Sequence, residues 1–229
     1  MQASKPRAFA IILVLGAPGA GKGSLCTHLA EACNLVHYSV GDSLRSWMRE
    51  NRDSPLAVKI QDKLDNQGFL TSEDLNPFVS RAIEDASAEK PCKAGILVDG
   101  FPRSKEQLES RSIWPFSRDV PTAGGANTNL KPDIVLSLRV SKQNAKARYL
   151  ARARDSNDSD EKFERRFAEY ERETIPVEEA YRQHGILIDV TANGSKEENI
   201  TEMMKSLGEN ELWQRVMVER PADKYFFDS

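Results

Sequence analysis

The chain has 229 residues, 39% of them apolar and 29% charged, with a formal net charge of −3 at pH 7. That length suits one α/β domain with a full core, or one core carrying inserted subdomains. The near-balanced charge excludes a global attraction to nucleic acid or to an anionic membrane, and no apolar run approaches the roughly 18 residues of a membrane span.

Met1 to Arg7 is short and polar and lacks the apolar core of a secretory signal. Cys26, Cys33 and Cys92 are odd in number and show no pairwise metal spacing, which points to a reducing compartment and buried or inert thiols. No repeat of solenoid period is present.

The first element organises the rest. Ile11-Ile12-Leu13-Val14-Leu15 reads as a strand buried on both faces. Gly16-Ala17-Pro18-Gly19-Ala20-Gly21-Lys22-Gly23-Ser24 follows, then a helix whose Leu25 and Leu29 share a face. Strand, glycine-rich loop and helix make a phosphate cradle: backbone N–H groups and the positive helix end form a concave anion site, and Lys22 reaches a terminal phosphate as a point charge. Gly23 stands where a strict GxxxxGK[ST] loop has Ser or Thr, and the hydroxyl arrives one place later, at Ser24. The flanking strand and helix separate this stretch from a glycine-rich turn that binds nothing.

Leu35 to Val40 forms the second strand, and a helix begins just after Gly41, with Asp42 suiting its dipole. Pro55 starts another helix with a Leu56, Ile60, Leu64 stripe. Thr71-Ser72-Glu73-Asp74 supplies capping chemistry for a third helix through Phe78, Val79 and Ile83, with Pro77 blurring its start. These three helices are expected to form a small mobile subdomain. The third strand, Ala94 to Asp99, ends in an acid where open α/β sheets bind ligands, a position suited to supporting Mg²⁺. Residues 113–131 read as an exposed loop with breakers. Ile134 to Val140 is the fourth strand. Lys142 to Ala153 is a basic helix that sets Arg148 and Arg152 on one face. A polar break follows, then a long helix with Phe163, Phe167, Tyr170 and Ile175 on its apolar side and Pro176 kinking or restarting it. Ile186 to Val190 is the fifth strand, and Ile200, Met204 and Leu207 mark the last regular helix. Residues 211–229 form an apolar-spotted tail that docks on the domain or on a partner. Alternating strands and helices imply a parallel sheet with right-handed crossovers.

Four stretches carry a family resemblance. Gly16 to Ser24 resembles the GxPGxGKGT loop of adenylate kinases and UMP/CMP kinases, in which Gly also follows the Lys and the hydroxyl comes one place later. Gly41-Asp42-Ser43-Leu44-Arg45 resembles their GDxLR segment, which binds the acceptor monophosphate. Asp99-Gly100-Phe101-Pro102-Arg103 is similar to their DGFPR stretch, and Tyr170, Thr174, Pro176 and Tyr181 fall in the YxxxTxPxxxxY pattern. Order and spacing agree from about Phe9 to Leu207.

The resemblance implies an α/β P-loop three-layer fold within a single domain, with a five-stranded parallel sheet in the order 2-3-1-4-5 and helices on both faces. It also implies an acceptor-binding insertion at 43–88, a short lid at 152–160 and a C-terminal extension at 209–229. The lid matches the family's RxDDN only loosely, as Arg154-Asp155-Ser156-Asn157-Asp158. It lacks four metal ligands, so no structural zinc is expected.

The implied activity is Mg²⁺-dependent, reversible transfer of the ATP γ-phosphoryl group to a nucleoside monophosphate. By resemblance, Gly19, Ala20, Gly21, Lys22, Gly23, Ser24, Arg148, Arg152 and Gly194 hold ATP. Ser39, Val40, Arg45, Leu70, Gly100, Arg103 and Gln107 hold the acceptor. Lys22, Arg45, Arg103, Arg154 and Arg166 act on the transferred group, with Arg165 as the alternative to Arg166, while Ser24 and Asp99 support Mg²⁺ directly or through water. Gln107 favours AMP, since a glutamine in this place reads adenine in adenylate kinases. Val40 leaves UMP or CMP open. Nucleotides are the expected partners and a cytoplasmic monomer the default, with a nuclear location open. The rival readings are a non-catalytic nucleotide sensor or scaffold and a kinase for a non-nucleotide small molecule.

Overall fold

The computed structural model describes residues 9–66, 70–88, 93–110, 132–152 and 159–219. Strand β1, Ala10–Gly16, is the centre of a five-stranded, all-parallel sheet. It pairs on one side with β3, Gly95–Asp99, and on the other with β4, Ile134–Arg139; β2, Leu35–Ser39, and β5, Leu187–Thr191, close the edges. The order β2-β3-β1-β4-β5 is the one expected.

The unbroken apolar run of β1 follows from its burial on both faces. Ala10, Ile12 and Val14 enter one core with Leu25 and Leu29 of α1, Lys22–Ala32, and with Met203 and Leu207 of α9, Lys196–Glu209. Ile11, Leu13 and Leu15 enter the other, with residues of α2, Val40–Glu50, α3, Pro55–Asn66, α4, Ser72–Ala88, and α8, Ile175–Gln183. Five parallel strands end along one edge, and the order reverses at β1, where neighbouring connections leave in opposite directions. The crevice at that switch point is where such sheets bind ligands.

The three helices between β2 and β3 share one apolar cluster with the sheet residues Ile11, Leu13, Ile96 and Val98. Trp47 and Phe78 meet edge to face at 5.2 Å. Inside this group, burial alone would raise the Asp74 carboxyl, but Lys63 at 2.5 Å and the Thr71 hydroxyl and backbone outweigh it and hold it at about 2.

Several local readings change. The second helix starts at Val40, because the Ser39 hydroxyl accepts from Asp42 N and caps it one residue earlier than expected. In α3 the inward stripe is Ala57 and Ile60, while Leu56 is 38% exposed. At Pro176 the helix restarts. Helix α7, Asp160–Glu169, passes through a π-helical turn, Tyr170–Thr174, into α8, and Pro176 sits in the first turn of α8, where its missing N–H costs little. That turn rotates Ile175 outward to 40% exposure while Phe163, Phe167 and Tyr170 stay buried. In α9 the fully buried positions are Met203 and Leu207, with Ile200 and Met204 partly covered. Two short helices appear that periodicity did not reveal: α5, Lys105–Glu109, and the one-turn α10, Glu211–Trp213.

The first part of the tail docks on its own domain. Trp213 is 5% exposed within the α1/α9 core, and Val216 and Met217 pack beside it. The 113–131 loop and the end of the tail lie outside the described residues. Trp213→Ala removes a buried aromatic from this core and is expected to lower the unfolding free energy by about 3 kcal/mol. Urea denaturation measures it, and an unchanged midpoint would mean the tail is not held by this residue.

Candidate active site

The loop after β1 turns back on itself so tightly that side chains are excluded. Gly19 has φ +81°, and a Cβ there would stand 2.0 Å from the Ala145 carbonyl oxygen of α6, Lys142–Arg152. No L-residue fits without moving α6. Helix α1 then starts at Lys22 with no acidic residue in its first turn and with the positive end of its dipole directed at the cleft.

A cleft of about 260 Å³ opens at the carboxyl edge of the sheet. Gly19, Ala20, Gly21, Lys22, Gly23 and Ser24 line one wall. Ser39, Val40, Arg45, Leu70, Gly100, Arg103 and Gln107 line the other, with Asp99, Arg152 and Arg166 also on its surface. Lys22 Nζ donates to the carbonyls of Gly16 at 2.8 Å and Ala17 at 3.0 Å. Its pKa is lowered to about 8, first by burial and also by the positive charges of Arg103 and Arg166, against the upward pull of Asp99. Arg103 Nε donates to Gly100 O at 2.6 Å, and its guanidinium is lowered to about 10, first by burial, then by Arg166, against the pull of Asp99, and by Arg45. Arg45 rests on Asp42 at 2.5 Å. Arg166 donates to the Tyr149 hydroxyl at 3.3 Å and lies over that ring, as does Arg152.

Four positive groups from four separate stretches of chain therefore converge within electrostatic reach of one another. The register question at the lid end resolves as well: Arg166 lines the cleft and Arg165 faces solvent.

Gln107 sits at 1% exposure with its amide fully oriented. Its Oε1 accepts from Arg103 N and its Nε2 donates to Leu70 O, both at 2.7 Å. One N–H and one oxygen lone pair remain for a ligand. Glu106, next to it, accepts from the backbone N–H and hydroxyl of Ser72 and so ties α5 to the start of α4.

Two residues expected to hold ATP do not line the cleft. Arg148 does not reach the cleft wall: it donates to the carbonyls of Ala192 and Gly194, each at 2.6 Å, and fastens the loop after β5. Gly194 is likewise absent from that wall, being held by Arg148 and Asn199. Arg154 lies outside the described residues.

Sequence reasoning had named Thr174 and Tyr170 only as members of a pattern and had passed over Glu169. All three line the cleft. The Thr174 hydroxyl donates to Arg103 O at 2.7 Å and so pins the backbone that carries the guanidinium. Tyr170 donates to Glu178, a carboxyl 1% exposed and raised by its burial, which also receives Arg139 at 3.0 Å.

A parallel sheet ordered 2-3-1-4-5, a glycine-rich loop running into α1 at its switch point and a convergence of Lys and Arg define a P-loop phosphotransferase of the nucleoside monophosphate kinase class. Residues 14–186 match the family model for adenylate kinase, and the chain belongs to that family. It is 32% identical to an adenylate kinase of Corynebacterium aurimucosum over 196 residues, covering 86% of this chain and 98% of the relative. It is 30% identical to one from Nitratiruptor sp., covering 84% and 92%, and 30% identical to adenylate kinase 1 of Nostoc sp., covering 86% and 98%. Among the described residues no helix is long and apolar enough to cross a membrane.

The depressed Lys22 pKa has a kinetic consequence. The pKa of the free protein governs kcat/KM, so kcat/KM for ATP is expected to fall as pH rises through about 8, where Lys22 loses its proton. A bound polyphosphate raises that pKa, so kcat should hold to higher pH. Steady-state pH profiles check this, and a kcat/KM that is flat through that range would contradict it.

Proposed function

We propose that this chain catalyses the reversible reaction ATP + AMP = 2 ADP. The observation that carries the reading is the convergence of Lys22, Arg45, Arg103 and Arg166 on one cleft at the sheet's switch point. An oxygen of the AMP phosphate attacks the γ-phosphorus in line. The bond from that phosphorus to the β–γ bridging oxygen breaks, and ADP leaves from each side. The nucleophile is already an anion, so no general base is needed, and the transition state is loose with charge spread over the peripheral oxygens. The work left for the protein is to align two polyanions and neutralise them.

In this reading the α1 loop holds the ATP phosphates and Lys22 follows the transferred group. Arg45 and Arg103 clamp the acceptor phosphate, guanidinium forks matching its oxygens. Arg166 and Arg152 approach from the lid side, with the lid itself at 152–160. The helices of residues 43–88 form the acceptor-binding insertion. The Asp99 carboxylate, 7% exposed beside Lys22, and the Ser24 hydroxyl, which lines the same cleft, are hard oxygen donors that fit Mg²⁺. They would hold it directly or through water. Bound there, Mg²⁺ would neutralise charge on the β- and γ-phosphates.

The family membership and the remaining donor and acceptor on Gln107 favour adenine over a pyrimidine as the acceptor base. A coupled assay with ATP, Mg²⁺ and a panel of monophosphates tests the proposal, with AMP expected as the best acceptor. Transfer to none of them would favour a nucleotide sensor, and a preference for UMP or CMP would overturn the choice of base. Lys22→Met is expected to lower kcat by about 100- to 1000-fold with the fold intact, the scale for losing one preorganised electrostatic group. Gln107→Ala should lower kcat/KM for every acceptor by loosening Arg103, and for AMP more than for UMP. Equal losses would remove the basis for adenine selectivity.

A further inference from the structure

Beneath the phosphate cleft, three side chains of metal-binding type converge that periodicity and cysteine spacing did not connect. Cys26 lies on α1 one turn beyond Lys22, His37 on β2 and Asp99 at the end of β3. Parallel pairing sets His37 opposite Leu97 and Ser39 opposite Asp99, and α1 packs across these two strands. One ligand atom from each residue lies within 4.8 Å of the other two. His37 Nε2 and Asp99 Oδ2 are 3.9 Å apart, beyond hydrogen-bond reach.

Thr27 stands beside the other ring nitrogen of His37. The Thr27 hydroxyl gives its one hydrogen to Gly23 O at 2.8 Å, so toward His37 Nδ1, 3.5 Å away, it can only accept. In the tautomer that this contact suits, with the proton on Nδ1, Nε2 presents a lone pair. His37 Nε2 is buried and, among the described residues, has no hydrogen-bond partner. A buried lone pair facing a thiol and a carboxylate is an arrangement that a cation completes.

We propose that Cys26, His37 and Asp99 form a binding site for a thiophilic divalent cation of the zinc class, and that its occupation inhibits phosphoryl transfer. The S, N, O donor set suits Zn²⁺ and is poor for Mg²⁺, which prefers oxygen throughout. In a tetrahedral site with zinc-type bonds the ligand atoms stand about 3.3 to 3.6 Å apart, so a pairwise closure of about 1.5 Å at most, from separations within 4.8 Å, completes it. On binding, the Cys26 S–H bond breaks, its proton leaves to solvent and a sulfur–metal bond forms. His37 supplies the Nε2 pair, Asp99 one oxygen and water the fourth position. In the metal-free protein burial pushes the Cys26 thiol up, so it stays protonated and is no nucleophile. Binding itself is independent of the proposed reaction. The inhibition rests on that reading, because a cation held by Asp99 withdraws this carboxylate from Mg²⁺ and from Lys22.

Co²⁺ is the optical probe, added to the nucleotide-free full chain without thiol reductant. A thiolate-to-cobalt absorption is expected to saturate at one equivalent and to vanish when Zn²⁺ displaces the cobalt. The Cys33→Ser/Cys92→Ser double variant should keep it. Cys26→Ala and His37→Gln should abolish it, and Thr27→Val, which frees the ring without removing a ligand, should weaken binding by about 10- to 100-fold. Absence of the band, or its persistence in both ligand variants, overturns the site. Circular dichroism and melting confirm that each variant folds, and the partly exposed His37 decides if Cys26→Ala does not. In turnover assays, Zn²⁺ should inhibit the parent protein and its Cys33/Cys92 double variant reversibly to a chelator, and should lose that effect in His37→Gln. A normal cobalt titration without inhibition would overturn the inhibitory half alone, and inactivity of the parent with every acceptor would strike the proposed function while leaving the titration intact.

Discussion

Like charges repel, and a cleft lined by Lys22, Arg45, Arg103, Arg152 and Arg166 must be held open by the rest of the molecule. Lys22, Arg45, Arg103 and Arg166 come from four stretches of chain, and burial and mutual repulsion already pull Lys22 and Arg103 below their ordinary pKa values. Each cation is tethered to an oxygen acceptor: the Gly16 and Ala17 carbonyls, Asp42, the Gly100 carbonyl and the Tyr149 hydroxyl. These groups anchor the charges without cancelling them, apart from Asp42. A polyanion entering the cleft relieves the repulsion, and the binding free energy so released is available for aligning its phosphates.

The tethers are themselves positioned by structural features well behind the cleft. Arg103 is fixed through its backbone, by Gln107 at the N–H and by Thr174 at the carbonyl. Thr174 ends a π-helical turn, and the extra residue of that turn brings Tyr170 and Thr174 inward together while Ile175 turns out. Tyr170 in turn meets the buried Glu178 and, through it, Arg139 at the end of β4. The acceptor wall, the lid-side helix and the sheet edge are thus joined by short polar contacts.

Much of this was legible in the sequence, because it depends on local chemistry. The apolar run of β1, the glycine loop and the Asp99 to Arg103 stretch each announce a backbone path, the family resemblance carried the sheet order, and Lys22, Arg45, Arg103 and Asp99 all line the cleft. For Arg148, helical periodicity gives the face shared with Arg152 but says nothing of the Ala192 and Gly194 carbonyls that hold it from 44 and 46 residues away. Leu56 and Ile175 were assigned inward by spacing, and a shifted helix face and a π turn, respectively, put them outside. The Cys26, His37, Asp99 group was invisible for the same reason as Arg148's partners: its members are distant in sequence and meet only once β2 and β3 pair beneath α1.

The central claim is that these four cations gather two nucleotides end to end. A crystal structure with a dinucleotide whose two adenosines are linked through a chain of phosphates tests it most directly. The linking phosphates are predicted to lie between Lys22, Arg45, Arg103 and Arg166, with one adenosine on the α1 side and the other beside Gln107. Phosphates turned to bulk solvent, away from those four side chains, would contradict the account.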